Sequence, residues 1–539
     1  MNRIHAIAWV LVGLATAGAA RGEVRLAEVI RDNAVLQRDA KVGIWGRAEA
    51  DEKITVIFAG QTRRASADAF GRWRVELEPM GASSEGRTLT ASSPAGTVEV
   101  RNVVVGDVWL YLTMAFHLNE KSPLRAREPD AASLPTIRFH RASDLWEQRT
   151  HSRRARAAFG RDRRGRWTLY KPPGKYFAND AYYLGVGLGS QTRVPVGAMA
   201  LGASTLEAMT PPEGFRHWPP ELSALAERVA SWTPTTPRGR QAYLASLGEI
   251  GEWIARTRAV LARADVTFAD LAPPPVLPGP PAFERAPTTQ YNDVAHRYMP
   301  ATVRGLILEP GCQSVSDVHY AAKARALVRG LREAMGRELL PVCFVQTHCP
   351  HRYETNFAKD PNDWARARAA QASLMRSEKN LTVVATYDGD PKNRDALKID
   401  RPLRVAQWAA AVVRGQAVRT GPVYKAHRID GTRIVIEFDH VGAGLLAGRK
   451  EPVRPVQPDA NGTLRGFEIA DERGLWQKAT AAIEGRTVVV TAPVGARGRA
   501  VRYAWAPRPF QANLYNREGF PALPFDTSRE SVAQGKPRR

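Results

Sequence analysis

An α/β fold is predicted, in which a domain built on a parallel sheet lies between two smaller β modules. Residues 23–105 carry β-branched side chains at every second position, which is the period of a half-buried strand. Residues 106–415 alternate buried-strand runs with helical patterns, as βα units do. Residues 420–528 return to short strands. These patterns predict a β-sandwich, an α/β domain and a second β module in chain order.

Local periodicity predicts the individual elements. In the N-terminal module, strands are predicted over 53–59, 72–78 and 97–105. In the α/β domain, strands are predicted over 103–110, 302–308 and 341–346, and helices over 320–335, 364–376 and 402–414. In the C-terminal module, strands are predicted over 433–439, 466–470, 487–492 and 500–506.

Residues 218–285 interrupt the βα rhythm and are predicted to form a helical insertion. Its apolar residues recur at steps of three and four, which places them on one helix face: Tyr243, Leu247, Ile250, Ile254, Thr257 and Leu261. A stiff, proline-rich stretch follows over 273–281. We expect the apolar face to pack on the main domain, and partner binding is the alternative.

The first 22 residues are predicted to be a secretory signal. Arg3 supplies the positive start, residues 6–17 are apolar, and small residues follow. An uncleaved N-terminal anchor is the alternative. No later apolar run is long enough to span a membrane, so we expect a secreted or periplasmic protein without a membrane span.

The chain is strongly basic, with a formal net charge of +23. Between Arg149 and Arg166 there are eight arginines and a single acid, Asp162. Such a segment attracts nucleic acid, anionic glycans or anionic lipid headgroups at long range. A solvated loop is the alternative that we favour, and without a nucleic-acid-binding motif we expect no nucleic acid partner.

Three cysteines, Cys312, Cys343 and Cys349, give no disulfide framework, although Cys343 and Cys349 are close enough in sequence to pair. His348, Cys349 and His351 are also close together, but no second cluster completes a tetrahedral site. The sequence therefore predicts neither a metal nor another cofactor.

An ordered set of short segments resembles the sialate O-acetylesterase family. Residues 33–38 read Asn-Ala-Val-Leu-Gln-Arg, and residues 106–110 read Gly-Asp-Val-Trp-Leu. The other matching segments are 42–46, 194–197, 364–371, 421–424, 438–442, 466–469, 501–505 and 513–516. The resemblance spans about residues 24–528. It implies a flavodoxin-like parallel-sheet domain of the SGNH-hydrolase type that removes acetyl groups from sugars, notably sialic acid.

The resemblance also places the catalytic residues, and this sequence departs from the family at each of them. The family's nucleophilic serine falls on Ala115, whose methyl group has no lone pair to attack an ester. Its oxyanion-binding asparagine falls on Ser314, although Gly311 remains. Its histidine falls near Arg394, and an arginine is no general base at neutral pH. A turn that helps to hold the oxyanion is also two residues shorter, over 200–205.

The residues expected to line the former cleft are Met114, Ala115, Phe116, His117, Gly202, Ser204, Gly311, Cys312 and Ser314. A rebuilt triad could draw on His117, Ser204, Ser314, Ser316, Asp317 and His319. We favour a helix start with Ser316 as its N-cap for the last three.

Three hypotheses for function follow. The first is a catalytically inactive, esterase-derived protein that binds a carbohydrate, such as an O-acetylated glycan, or another partner in the old cleft. The second is an active carbohydrate O-acetylesterase with a non-standard site. The third is a basic surface protein that binds an anionic polymer through the segment between Arg149 and Arg166.

Overall fold

A computed structural model describes residues 23–113, 136–141, 166–169, 179–202, 205–279, 286–346, 358–389, 394–417, 420–493 and 497–528. The predicted signal segment and all but the last residue of the arginine-rich segment lie outside these ranges. Within them, no helix is both long and apolar enough to cross a membrane.

The N-terminal module consists of strands in two sheets, which pair antiparallel except for β2. One sheet has the order β1-β3-β6, and in the other β4 pairs with β5 and β7, and β7 with β8. Strand alternation buries every second residue, such as Trp73, Val75 and Leu77 of β6. The strands are β1 Arg25–Leu26, β2 Val35–Gln37, β3 Val42–Arg47, β4 Lys53–Phe58, β5 Gln61–Ser66, β6 Arg72–Leu77, β7 Ser83–Ser93 and β8 Gly96–Thr113.

The long strand β8 passes without a break from this module into the central sheet. That sheet has the order β10-β9-β11-β8-β12-β13-β14. All neighbouring strands from β9 to β14 are parallel, and β10 is an antiparallel edge. The further strands are β9 Ile137–Arg141, β10 Arg166–Leu169, β11 Val196–Gly202, β12 Gly305–Glu309, β13 Val342–Val345 and β14 Leu381–Val384. The predicted α/β class with flanking β modules is confirmed.

Helices cover both faces of the central sheet, which is why its strands are apolar on both sides. On one face Trp109 packs edge-on against Trp408, with ring centroids 5.4 Å apart. On the other face Leu327 and Phe344 belong to the main core. The helices are α1 Asn179–Thr192, α2 Leu206–Met209, α3 Ser223–Trp232, α4 Pro237–Leu261, α5 Tyr320–Ala334, α6 Asp363–Ser377 and α7 Arg394–Val413. The first face carries α1 and α7, and the second carries α5 and α6.

The C-terminal module consists of three antiparallel sheets, with the orders β15-β16-β22-β21, β18-β17-β24 and β20-β19-β23-β25. Its strands are β15 Val423–Asp430, β16 Arg433–Asp439, β17 Leu445–Arg449, β18 Gln457–Pro458, β19 Phe467–Ala470, β20 Trp476–Lys478, β21 Thr480–Glu484, β22 Thr487–Thr491, β23 Ala500–Tyr503, β24 Leu514–Asn516 and β25 Phe525–Asp526. Stacked aromatic rings, including Tyr424 on Phe525 at 5.1 Å, fill its interior.

The helical insertion departs from its prediction in one respect. Helix α4 does not bury the predicted apolar face: Leu247, Ile254 and Leu261 are 54%, 39% and 58% exposed. The other residues of the face, Tyr243, Ile250 and Thr257, are half-buried. The expectation that this face packs on the main domain is therefore wrong for its exposed half.

Two of the family-like segments meet at the start of the central sheet. Strand β2 pairs in parallel with β8, so that Gln37 lies opposite Gly106. The side chain of Gln37 accepts a hydrogen bond from the backbone of Val108 at 2.9 Å. Next to it, the guanidinium of Arg38 donates to the buried carboxylate of Asp107 at 3.1 and 3.2 Å. These motif residues therefore join the N-terminal module to the central sheet.

His140 on β9 is fully buried where the central sheet meets the N-terminal module. Its Nε2 lies 3.3 Å from the carbonyl of Glu28, and its ring sits between Trp167 and Tyr298. Its Nδ1 is buried without a hydrogen-bond partner. Burial, with a smaller contribution from Arg31, lowers the pKa of His140 to about 4.

We expect His140 to make folding sensitive to mild acid. Above pH 6.5 the ring is neutral in both states, whereas below it only the unfolded chain takes up a proton. Stability should therefore fall between pH 6.5 and 4, by about 3 kcal/mol at most. Urea unfolding of wild type and His140→Phe at both pH values measures this difference. His296→Phe, which alters an exposed ring, is the control and should keep the wild-type pH dependence.

Candidate functional site

The strand order of the central sheet locates the candidate site. Chain order proceeds from β8 to β11 on one side, and then to β12, β13 and β14 on the other. Ligands of such sheets bind beyond the carboxyl ends of the strands, at the point where the order reverses. Here that point is the edge formed by Gly202, Thr113 and Glu309, which are neighbours in the registers of β11, β8 and β12.

A buried polar network occupies this edge. Tyr111 donates its hydroxyl hydrogen to Glu309 Oε2 at 2.6 Å, and Thr113 donates to the same oxygen at 3.3 Å. On the other side of the carboxylate, Arg401 Nη1 lies 2.8 Å from Glu309 Oε1. The side chains of Glu309 and Arg401 are only 3% and 6% exposed. Because side chains alternate along a strand, Tyr111, Thr113 and Glu309 all face the side of the sheet that α7 covers.

The central charges of this network, the Glu309 carboxylate and the Arg401 guanidinium, are paired with each other. Glu309 Oε2 accepts hydrogen bonds from the two hydroxyl groups, and Oε1 faces the Arg401 guanidinium as an ion pair. Arg401 stays protonated at neutral pH and supplies no base. The network holds the ends of β8, β12 and α7 together, and its members offer neither a serine nucleophile nor an imidazole.

The predicted site residues fall partly inside the described ranges. Met114, Ala115, Phe116, His117 and Ser204 lie outside them. Gly202 ends β11, and Gly311 precedes a short 3₁₀ turn over Cys312–Ser314. Burial raises the pKa of the Cys312 thiol to about 11, so this thiol is protonated at neutral pH. Ser314 is half-buried in the same turn.

Arg394, which stands near the family's histidine position, is the first residue of α7, and its side chain lies outside the description. Arg401, further along the same helix, places its guanidinium against Glu309. Sequence reasoning missed Glu309 and Arg401, although an acid that closes the apolar strand Gly305–Glu309 was a usable signal.

Ser316 and Asp317 make polar contacts at the starts of α6 and α5. The Ser316 hydroxyl donates to Asp363 Oδ2 at 2.6 Å, at the start of α6. Burial alone would raise the pKa of Asp363, but the hydrogen bonds from Ser316 and Arg366 outweigh it and lower the pKa to about 2. The N-cap of α5 is His319, with no side-chain cap bond, so the prediction of Ser316 as N-cap is wrong. Across the described ranges, no serine hydroxyl lies within hydrogen-bond distance of a histidine ring nitrogen.

A charged cluster lies beside the site, between α2 and α5. Lys323 Nζ lies 2.7 Å from Glu207 and 2.5 Å from Asp317, and it sits 5.3 Å from the centre of the Trp218 ring. Burial alone would lower the pKa of Lys323, but the two carboxylates outweigh it and raise the pKa. Lys323 therefore stays charged and is no candidate base at neutral pH.

The end of β14 carries a second buried ion pair, which anchors the C-terminal module. Both guanidinium ends of Arg404 lie 2.9 Å from the carboxylate oxygens of Asp388. Tyr515 of the C-terminal module donates its hydroxyl hydrogen to the same carboxylate at 3.1 Å. Tyr515 of the family-like segment 513–516 thus links the C-terminal module to this ion pair.

The residues described around the sheet indicate neither a reactive cysteine nor a metal site. Cys343 is a reduced, fully buried thiol on β13, while Cys349, His348 and His351 lie outside the description. Among the residues whose positions are described, no group of three or more histidine, cysteine or acidic side chains is arranged to hold a metal ion.

Comparison with known proteins adds a fold relationship. No family model matches the chain, and no curated protein matches it significantly. Among solved structures, a carbohydrate acetylesterase from Xanthomonas citri matches with a TM-score of 0.66 at 24% identity. That match covers 93% of this chain and 99% of the other. A protein from Arabidopsis thaliana matches 58% of this chain and 99% of its own at 10% identity, but its TM-score of 0.28 supports no argument. The chain therefore has the overall fold of the Xanthomonas enzyme.

Proposed function

We propose that the protein is an exported, esterase-derived protein of the SGNH type that binds a carbohydrate in the former active-site cleft and does not hydrolyse it. The observation that carries the proposal is the network at the switch point. Where an acetylesterase needs a serine and an imidazole, the ends of β8, β12 and α7 bring together Tyr111, Thr113, Glu309 and Arg401.

The sequence supports the same conclusion independently. Ala115 stands at the nucleophile position, Ser314 at that of the oxyanion asparagine, and Arg394 near that of the histidine. Loss of a nucleophile leaves at best the residual catalysis of a binding pocket, about 10³–10⁴-fold over water in a well-formed site. The carbohydrate is proposed from the fold shared with a carbohydrate acetylesterase.

Restoring the nucleophile alone should not restore activity. We expect wild type and Ala115→Ser to hydrolyse p-nitrophenyl acetate and O-acetylated sialic acid at rates within about tenfold of each other and close to background, because no imidazole activates the new hydroxyl. A coupled assay that follows acetate release measures the hydrolysis rates of both proteins on both substrates. Wild-type hydrolysis well above background that Ala115→Ser leaves unchanged would instead establish an active esterase with a non-standard site.

Binding is tested separately with a glycan panel and isothermal titration of its best ligand. Ala115→Trp, which adds a large side chain at the predicted cleft, should weaken that binding at least tenfold. Ala245→Trp is the matched control, because Ala245 is exposed on α4. The proposal fails if no glycan binds, or if the two variants bind equally well.

A further inference from the structure

Helix α4 presents a stripe of exposed residues that the fold does not use. Positions spaced by four and three fall on one side of a helix. On this side, Leu244, Leu247, Ile254 and Leu261 are 63%, 54%, 39% and 58% exposed. The whole stripe consists of Arg240, Leu244, Leu247, Gly251, Ile254, Arg258 and Leu261. Four large aliphatic side chains in one line exceed the scattered exposed leucines of an ordinary surface.

The side of α4 next to the stripe makes the contacts that hold the helix. Trp253 donates its indole hydrogen to the carbonyl of Ala272 at 2.8 Å, just before the proline-rich stretch. Tyr243, Ile250 and Thr257 are half-buried between Trp253 and the stripe. Among the described residues, the stripe itself stays exposed.

The charged side chains of the stripe indicate which kind of surface it binds. The stripe contains two arginines and no acid. The acids of α4, Glu249 and Glu252, lie away from it, and Glu252 pairs with Arg256 at 3.3 Å. Arginines among exposed leucines favour an anionic, partly apolar surface, because a guanidinium pairs with a lipid phosphate while its stem packs on apolar groups. The net charge of +23 favours approach to the same kind of surface.

A second copy of the chain fits less well. Residues spaced by four and three also form the seam of a helix pair, but here the seam would bury Arg240 and Arg258 among the leucines. Each arginine would lose its hydration without a carboxylate partner in the stripe. At a lipid surface, by contrast, the same guanidinium groups reach the phosphates while their stems lie along the apolar layer.

We propose that α4 docks the protein on an anionic lipid surface, with its stripe at the boundary between headgroups and acyl chains and its axis parallel to the surface. This role is separate from the proposed carbohydrate site. The helix lies on the bilayer, since it is not apolar enough to cross it.

Flotation with vesicles tests the proposal, using the chain from residue 23 onward. We expect binding to mixed phosphatidylcholine–phosphatidylglycerol vesicles and weak binding to pure phosphatidylcholine. Leu244→Glu/Ile254→Glu and, separately, Arg240→Gln/Arg258→Gln should each reduce vesicle binding about tenfold or more. Leu475→Glu is the matched control, because Leu475 lies in the C-terminal module and is 63% exposed, as Leu244 is.

Two results would overturn the proposal. One is vesicle binding that neither α4 variant changes, which would assign the attraction to another basic part of the chain. The other is a concentration-dependent dimer in sedimentation velocity that the leucine variant dissociates, without any binding to vesicles. All substituted positions are exposed, so the variants should keep the wild-type melting temperature, and differential scanning calorimetry checks this.

Discussion

Replacing Asp107 with alanine should lower the free energy of unfolding by about 3–5 kcal/mol, which is the usual cost of breaking a buried ion pair from one side. The Asp107 carboxylate is fully buried. It receives Arg38 Nε at 3.1 Å and Arg304 Nη2 at 3.2 Å. Removing it leaves two guanidinium groups, 18% and 23% exposed, without their common carboxylate at the base of the central sheet.

Asp39→Ala is the matched control, since Asp39 contacts the same two arginines from the surface. Its carboxylate lies 2.7 Å from Arg38 and 3.6 Å from Arg304, and its side chain is 51% exposed. An exposed ion pair contributes about 0–1 kcal/mol to stability. The urea midpoint of unfolding of this variant should therefore stay close to that of the wild type. Equal destabilisation by the two variants would contradict the assignment of Asp107 as the central group.

The scaffold could be predicted from the sequence because its signals are local. Strand periodicity predicted a strand over 433–439, and the structure has β16 at Arg433–Asp439. The family-like segments also correspond to contacts that join modules, as Arg38 with Asp107 and Tyr515 with Asp388 show. Such residues keep their identity for structural reasons, so their presence says little about catalysis.

The orientation of α4 could not be predicted from periodicity alone. Apolar residues at steps of three and four define a face, but they do not say whether another element covers it. Half of the predicted face is turned inward with Tyr243 and Ile250, and half is exposed with Leu247 and Ile254. The choice depended on the contact of Trp253 with Ala272, just before the proline-rich stretch, which no periodicity indicates.

The site could be predicted only in part, because its polar network joins residues that are distant in sequence. The alignment of short segments led to Ala115, Ser314 and Arg394, the positions at which the resemblance expects catalytic residues. Glu309 and Arg401 lie on different elements, and no spacing rule connects a strand end with the second turn of a helix. Only the parallel register of β8 and β12 brings Tyr111 and Thr113 to the same carboxylate.

Replacing Arg401 with methionine should destabilise the protein by about 3–5 kcal/mol, because it leaves the Glu309 carboxylate buried without its cationic partner. Urea unfolding at pH 7 measures the loss. Arg428→Met is the control, since Arg428 and Asp430 form a pair 3.6 Å apart with side chains 64% and 66% exposed. This control should cost less than about 1 kcal/mol.

The double variant Glu309→Gln/Arg401→Met tests whether the stability lost in Arg401→Met comes from the unpaired charge or from the changed side-chain shape. The neutral amide keeps an oxygen that accepts hydrogen bonds from Tyr111 and Thr113, and no buried charge remains. Neutral replacement of a buried ion pair is often tolerated, so the double variant should regain most of the stability lost in Arg401→Met. A double variant less stable than Arg401→Met would contradict this, and would mean that the negative charge itself has a further partner at the strand edge. Recovery would instead establish that Arg401 serves mainly to neutralise Glu309.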